Sequence, residues 1–263
     1  MRSIKDSRKL VNIVKKTLKN NMKCKICENT ELLKEYTVRE MMFGFRDEFS
    51  YFECKKCGCL QIAEIPKNIS EYYPSNYYSY FTPTSQIKSK LFEFFKRKRD
   101  HYEIFKKGIV GNLMSKFLPN ISFQILSEIT ITKNSKILDV GCGSGGFLYK
   151  LKNIGFKNIF GIDPFIANDI TYDNGLHIHK KMFNDVMEKQ DLIMFHHSFE
   201  HMSNPIETLE KASKLLNKGG CCMIRIPTVS SFAWKHYREN WVQLDAPRHF
   251  FLHSEESIGL IAK

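Results

Sequence analysis

The sequence lacks any apolar run approaching the roughly 20 residues that a membrane-spanning helix needs, and no signal-peptide pattern opens it. Cysteine is scarce, with eight residues in 263. Two of the eight, Cys221 and Cys222, are adjacent, which is unlike the spaced cysteines of a secreted disulfide framework. These absences exclude a membrane-spanning or disulfide-stapled protein and predict a reducing, cytoplasmic location.

Acidic residues are the minority charge, with 28 Asp and Glu against 40 Lys and Arg, for a net charge of +12. The excess lies in two segments. Residues 1–23 carry eight cations and one acid, and residues 86–108 carry eight cations and three acids. Such segments would suit nucleic acid, an anionic membrane surface or a phosphorylated substrate. Solvated helix faces explain them at least as well.

A glycine-rich turn between apolar residues is the strongest local signal in the chain. Residues 137–147 read Ile-Leu-Asp-Val-Gly-Cys-Gly-Ser-Gly-Gly-Phe. This pattern predicts a strand, a tight loop and a helix whose first N–H groups face a ligand. The loop has no Gly-Lys-Ser/Thr, so it is not a P-loop. A second apolar run ends on Asp163, where an acid can bind ribose hydroxyls.

Residues 138–145 resemble motif I of the class I S-adenosylmethionine-dependent methyltransferases. Gly161-Ile162-Asp163-Pro164 and residues 191–205 resemble later motifs of that family, in family order and spacing. The resemblance implies an S-adenosylmethionine site. Asp139 and the loop glycines Gly141, Gly143 and Gly145 would hold the methionine end, and Asp163 would hold the ribose. The resemblance also suggests adenine contacts from Met182 and Phe183, and a position beside the cofactor for His197.

Two Cys-x-x-Cys pairs flank a β-rich stretch near the N-terminus. Cys24 with Cys27 and Cys54 with Cys57 predict a zinc ribbon, in which four thiolates hold a structural Zn²⁺. Cys59, beside the second pair, fits a packed thiol better than a fifth ligand.

The second cysteine pair and a tyrosine-rich segment carry a further resemblance. They are similar to the N-terminal zinc-binding domain of sugar and polysaccharide-cluster methyltransferases. The segment itself, residues 71–81, would either stack on sugar faces or pack the ribbon onto the main domain, and both readings stay open.

The expected architecture is α/β, a doubly wound and mostly parallel sheet with a Rossmann-like methyltransferase core, joined to a small N-terminal zinc ribbon. We expect a basic arm in residues 1–22, the ribbon in 23–81, a helical cap in 86–134 and the core in 135–263. The last two strands of the family fold are missing from the sequence. Strand five would then be an uncovered edge that favours oligomerisation or a covering partner, or else the chain is truncated.

Side chains for acceptor chemistry follow strands four and five. His201 and His249 are the candidate general bases, because imidazole titrates near neutral pH. Asp245 joins them from residues 230–248, which resemble the family insertion that roofs the acceptor pocket. For each histidine taken alone, a structural hydrogen bond is the simpler role.

Three hypotheses follow for the function. The first is methyl transfer to a sugar, a nucleotide sugar or another small metabolite. The second is an RNA or lipid-linked acceptor, with peripheral membrane contact left open. Nucleic acid is disfavoured, since His197-Ser198-Phe199-Glu200 stands where base methylases carry Asn/Asp-Pro-Pro-Tyr. The third is a truncated binding protein without catalysis.

Overall fold

The computed structural model describes residues 23–74, 79 and 89–263. The strands in this part are β1 (Leu32–Arg39), β2 (Glu48–Cys54), β3 (Leu60–Ile62), β4 (Lys136–Val140), β5 (Asn158–Ile162), β6 (Ile170–Thr171), β7 (His177–His179), β8 (Gln190–His196), β9 (Leu216–Arg225) and β10 (Phe251–Leu252). The α-helices are α1 (Lys90–Phe105), α2 (Ile109–Phe117), α3 (Ile121–Gln124), α4 (Gly146–Asn153), α5 (Pro205–Leu215), α6 (Phe232–Tyr237) and α7 (Glu255–Ile261).

The strands form two sheets, and the chain divides into two compact units. The cysteine unit contains the described residues 23–72 together with 200–209 and 227–263. The parallel-sheet unit contains the described residues of 73–199 and 210–226. Residues 227–263, which we expected in the methyltransferase core, lie in the same compact unit as the N-terminal cysteines. The predicted domain boundaries stay predictions.

The parallel-sheet unit confirms the predicted α/β core. Its six strands lie in the order β6-β7-β5-β4-β8-β9, and all neighbours are parallel except β6 and β7. Four of the five residues of β4 are buried, as expected for a central parallel strand covered on both faces. β9 is the edge of this sheet among the described residues, and assembly through that edge stays a prediction.

Apolar side chains from the predicted strands and helices fill the centre of this unit. The fully buried members of the cluster include Phe123, Leu126, Ile137, Leu148, Leu151, Leu176, Ile178, Leu192 and Met194. Their burial removes apolar surface from water at about 25 cal/mol per Å². The core therefore fixes the end of β4, where the glycine-rich turn begins.

The cysteine unit is an antiparallel sheet in the order β1-β2-β3-β10. β10 pairs with β3 through Phe251 opposite Gln61 and Leu252 opposite Leu60. After β10, Ser254 begins α7 with a capping box, which confirms the predicted helix start. The C-terminal segment thus completes the sheet that the N-terminal cysteines begin.

Arg248 joins the two ends of the cysteine unit. Its side chain is fully buried and forms ion pairs with Glu40 at 2.9 Å and with Asp245. The guanidinium also donates to the carbonyl oxygen of Tyr72 at 3.0 Å. Because every partner is itself buried or nearly so, loss of the arginine would leave two uncompensated carboxylates.

None of the helices in the described residues is both long and apolar enough to span a bilayer. The basic arm predicted for residues 1–22 lies outside the described residues, as does most of the tyrosine-rich segment. Tyr72 and Tyr73 are described. Tyr72 donates to Asp47 at 2.7 Å, and Tyr73 stacks on Phe165 with ring centroids 4.9 Å apart.

Candidate functional site

The turn after β4 is built from three glycines with left-handed backbone angles. The φ angles of Gly141, Gly143 and Gly145 are 70°, 57° and 77°. A Cβ atom at Gly143 would also lie 2.4 Å from the carbonyl oxygen of Ser79. Glycine is therefore required both for the conformation and for the close approach. The turn ends where α4 begins, so its N–H groups lie at the start of a helix, as predicted.

Asp139 lies buried in β4, two residues before the turn. Its side chain is 2% exposed, and its Oδ1 atom has no hydrogen-bond partner among the described residues. Burial, and then the nearby charge of Asp163, raise the pKa of Asp139 well above its ordinary value. A buried carboxylate of this kind is stabilised by a cationic ligand and by little else.

Asp163 follows β5 and lies against the same turn. Its Oδ2 accepts the N–H of Gly143 at 2.9 Å, and its Oδ1 accepts the N–H of Phe165 at 2.8 Å. The two bonds hold the carboxylate at the tip of the strand.

A cavity of about 370 Å³ opens beside this turn within the parallel-sheet unit. Its lining combines polar side chains with two phenylalanines, and consists of Ser79, Asn120, Ser122, Phe123, Asp139, Cys142, Ser144, Gly146, Phe147, Lys150 and His196. Of the predicted cofactor residues, Asp139 lines the cavity directly. The buried carboxylate and the polar lining fit a ligand with a cationic end.

Sequence reasoning missed Ser122 as a lining residue, whereas His196 was a candidate because it lies at the tip of strand four. The Arg225 guanidinium donates to Ser122 Oγ at 2.7 Å and lies 3.5 Å from His196 Nε2. His196 also stacks on Phe147, with ring centroids 4.9 Å apart. Ser122 lies in a short helix that carries no functional pattern.

The other three predicted cofactor residues, His197, Met182 and Phe183, differ in their surroundings. His197 follows β8 with a left-handed φ of 56°, and its N–H donates to the carbonyl of Arg225 at 2.9 Å. Met182 is 55% exposed, whereas Phe183 is buried against Phe195. None of these three lines the cavity, and their cofactor contacts stay predictions.

The three predicted catalytic residues belong to the cysteine unit and lie together there. His249 Nε2 is 3.9 Å from Asp245 Oδ2 and 3.8 Å from Glu200 Oε1. The rings of His201 and His249 are perpendicular, with centroids 4.7 Å apart. The three predicted residues therefore lie together with Glu200, which is a further candidate from the sequence after strand four, and their catalytic roles stay predictions.

The two histidines of this cluster differ in environment. His201 Nδ1 lies 2.8 Å from the carbonyl oxygen of Arg248. A carbonyl only accepts, so Nδ1 carries the proton and Nε2 is the basic nitrogen of the neutral ring. Burial, and then the charge of His201, lower the pKa of His249 to about 4. His249 is therefore neutral at pH 7, and His201 is the remaining candidate base.

Four cysteine sulfurs converge at one end of the antiparallel sheet. The Sγ atoms of Cys24, Cys27, Cys54 and Cys57 all lie within 4.8 Å of one another. The closest pairs are Cys24 with Cys57 at 3.6 Å and Cys27 with Cys54 at 3.5 Å. Sulfurs around a tetrahedral zinc ion are about 3.8 Å apart, since Zn–S bonds are about 2.3 Å.

Neighbouring N–H groups support negative sulfur at this cluster. Gln61 Nε2 donates to Cys24 Sγ at 2.8 Å, and Asn29 Nδ2 lies 3.6 Å from Cys54 Sγ. The pKa of Cys24 is lowered to about 5, first by a hydrogen bond from the Cys57 thiol. Cys59 is fully buried, lies outside the cluster, and its pKa is raised by burial. The donor set fits a four-thiolate metal site.

Several known proteins resemble this chain. The tRNA U34 carboxymethyltransferase of Campylobacter fetus subsp. fetus is 29% identical over 110 residues, which are 38% of this chain and 39% of that protein. The same enzyme of Campylobacter hominis is 26% identical over 110 residues, again 38% and 39% of the two chains. The chain thus spans about two fifths of the curated relatives it matches.

Solved structures also share features with the chain. The plantazolicin methyltransferase BpumL in complex with SAH is 20% identical to this chain. The match covers 67% of this chain and 77% of the BpumL chain, with a TM-score of 0.41. The magnesium protoporphyrin IX methyltransferase of Synechocystis with bound SAH is 13% identical to this chain. The match covers 74% of this chain and 85% of the Synechocystis chain, with a TM-score of 0.44.

The family assignment comes from a domain model rather than from these individual proteins. The model described as a methyltransferase domain matches residues 112–263, which is more than half of the chain. That range contains the glycine-rich turn, Asp139, Asp163 and the parallel sheet. The chain therefore belongs to the methyltransferase domain family and carries a class I S-adenosylmethionine-dependent methyltransferase domain behind an N-terminal four-cysteine cluster.

Proposed function

We propose that this chain transfers the methyl group of S-adenosylmethionine to a small acceptor of the sugar or nucleotide-sugar type. The observation that carries the cofactor assignment is the buried Asp139 carboxylate, with an unsatisfied Oδ1, beside a cavity of about 370 Å³. When bound, the cofactor would supply an activated methyl group on a sulfonium. Its ammonium group is the cation that Asp139 requires.

The residues around the turn have separate tasks in this proposal. Asp139 binds the ammonium end, and the amides at the start of α4 bind the carboxylate. Asp163, at the tip of β5, accepts hydrogen bonds from the ribose hydroxyls. Fixing the cofactor in this way places the methyl group for in-line attack, which supplies much of the rate in such a reaction.

His201 is the proposed general base for the acceptor hydroxyl. Its Nδ1–H bond to the Arg248 carbonyl fixes the tautomer whose Nε2 takes a proton. Arg248 is itself held by Asp245 and Glu40, so Asp245 orients the base through the arginine backbone rather than by direct contact. His249, with its pKa near 4, stays neutral and packs against His201.

The acceptor class rests on the sequence. The cysteine pairs and the tyrosine-rich segment resemble the zinc-binding domain of sugar-cluster methyltransferases, and this supports a sugar acceptor. A tRNA acceptor is the second candidate, because the relatives from Campylobacter are named tRNA U34 carboxymethyltransferases. A cytoplasmic location stays a prediction with either acceptor.

Zinc at the four cysteines has a structural role in this proposal. Four thiolates leave no open coordination position for a water or a substrate. The ion would fix the two turns that flank β1 and β2. The antiparallel sheet that carries His249 and Arg248 would then depend on the metal for its stability.

Asp139→Asn tests the cofactor site. We expect about ten- to hundredfold weaker binding of S-adenosylmethionine, because a charge-assisted hydrogen bond is lost. The cofactor-free variant should unfold at the same temperature or higher, since a neutral amide costs less to bury than a carboxylate. Calorimetric titration and thermal unfolding measure the two effects.

The matched control is Asp173→Asn, the same change at an exposed site of the same unit. Wild-type affinity should also fall with pH once the pH passes below the raised pKa of Asp139, by at most about tenfold per pH unit, because only the ionised carboxylate attracts the ammonium. Equal affinity of wild type and Asp139→Asn at all pH values would contradict the assignment.

His201→Gln tests the base. We expect the methylation rate to fall by about 10²–10⁴ with unchanged cofactor affinity, and the pH dependence assigned to the imidazole to disappear. Transfer of a labelled methyl group to a pool of nucleotide sugars, and in parallel to an unmodified tRNA transcript, measures the rate and separates the two acceptors. A His201→Gln variant with wild-type rate would exclude His201 as the base.

Cys54→Ser tests the metal site. We expect the wild type to hold one zinc per chain and the variant to lose it together with part of its resistance to unfolding. Cys59→Ala is the control. Because Cys59 lies outside the cluster, this variant should keep its zinc. Elemental analysis of the purified chains decides the outcome, and a Cys54→Ser chain with full zinc content would refute the four-thiolate site.

A further inference from the structure

Helices α1 and α2 form a closely packed hairpin in the parallel-sheet unit. Lys106 ends α1 in a left-handed conformation, and its N–H donates to the Tyr102 carbonyl at 2.8 Å. The helices approach each other at Gly111, where a Cβ atom would lie 2.3 Å from the carbonyl oxygen of Lys98 and 2.6 Å from the Cβ of Tyr102. Such an approach fixes the hairpin, so its outer side chains have defined positions.

The outer side of this hairpin and the following turn is apolar to an unusual degree. Ile109 is 90% exposed, Phe117 75%, Ile121 64% and Leu91 63%. Phe92, Phe94, Val110, Leu113 and Leu118 are also exposed. Single exposed apolar residues are common, but nine within one stretch of about thirty residues indicate a binding surface.

Cations lie beside part of this apolar surface. A groove of about 620 Å³ on the hairpin is lined by Arg97, Lys98, Lys107 and Lys133, and in the described part of the chain no carboxylate is among its lining residues. Phe94, Ile109 and Val110 line the same groove. The positive charge and three of the nine exposed apolar side chains therefore belong to one site.

The acidic residues of α1 offset only part of this charge at the surface. Glu93 is exposed and pairs with Lys96 at 3.3 Å, whereas Asp100 and Glu103 are buried, and Asp100 is paired with Arg99. Glu103 accepts from the hydroxyl of Ser115 at 2.8 Å and from the N–H of Asn120 at 3.0 Å. The two buried acids thus hold the hairpin to the following turn, and the groove cations Arg97, Lys98 and Lys107 stay exposed.

We propose that this hairpin surface binds an anionic phospholipid membrane. Aliphatic side chains such as Ile109 and Leu113 gain free energy by entering the acyl boundary, and the lysines and arginines are attracted to anionic headgroups. RNA would use the cations and would also stack bases on the exposed phenylalanines, but it would gain little from Ile109, Leu113 and Ile121, because bases stack on aromatic and guanidinium planes. Exposed apolar side chains together with exposed cations give reversible peripheral binding to a membrane.

Vesicle flotation with the full chain tests the proposal. The probes are phosphatidylcholine vesicles with and without about one third phosphatidylglycerol, at low and high salt. We expect binding to the anionic vesicles only, and weaker binding at high salt. Ile109→Ser with Leu113→Ser should weaken it at least tenfold, and Lys98→Gln with Lys107→Gln should weaken it by about fivefold for each cation removed.

Matched controls are Val242→Ser and Lys235→Gln, which change exposed residues of the cysteine unit. Both should bind the vesicles as the wild type does, and all variants should bind S-adenosylmethionine unchanged. The proposal fails if the wild type does not float with anionic vesicles or if neither hairpin pair weakens flotation. It also fails if Lys98→Gln with Lys107→Gln abolishes binding of a tRNA transcript but leaves vesicle binding unchanged. It fails as well if Ile109→Ser with Leu113→Ser converts a dimer into a monomer but leaves vesicle binding unchanged.

Discussion

A buried carboxyl group whose Oδ1 has no hydrogen-bond partner among the described residues is the constraint on which the candidate site depends. Asp139 lies in the central strand β4, opposite Gly161 of β5 and Met194 of β8, and lines the cavity beside the glycine-rich turn. Burial raises the pKa of this carboxyl group, so its ionised form is disfavoured until a cation binds. The same arrangement that weakens the cofactor-free protein therefore favours cofactor binding.

The cysteine unit depends on a different kind of contact. Arg248 links Glu40, near the first cysteines, with Asp245 and with the carbonyl of Tyr72. The carbonyl of the same arginine fixes the ring of His201. One buried residue thus sets both the closure of the unit and the tautomer of the proposed base. A buried ion pair is weak evidence for stability, but removing one partner is costly.

The sequence predicted the parallel sheet well because its information is local. Apolar runs of five to seven residues identified β4, β5 and β8, and the glycine-rich turn with Asp139 and Asp163 lies within one stretch. The start of β9 carries less local information. Helix α5 ends at Leu215, and β9 begins at Leu216 and runs through Gly219 and Gly220, because pairing with β8 overrides the turn signal of the two glycines.

Long-range contacts were beyond the sequence. β10 has two residues and no periodicity, and its pairing with β3 spans about 190 positions. The ion pair of Arg248 with Glu40 joins residues 208 positions apart. For the same reason the sequence did not identify Ser122, which lines the cavity, or Arg225, which donates a hydrogen bond to Ser122. A motif specifies which residues bind a cofactor locally, but packing decides which distant residues complete the site.

A crystal structure of the full chain with S-adenosylhomocysteine tests the central claim most directly. We expect the ligand ammonium to lie within hydrogen-bond distance of the Asp139 carboxylate, about 2.7–3.2 Å. We also expect the ribose hydroxyls to donate hydrogen bonds to the Asp163 carboxylate. A ligand bound with its ammonium elsewhere, and with Asp139 still buried away from it, would contradict the account.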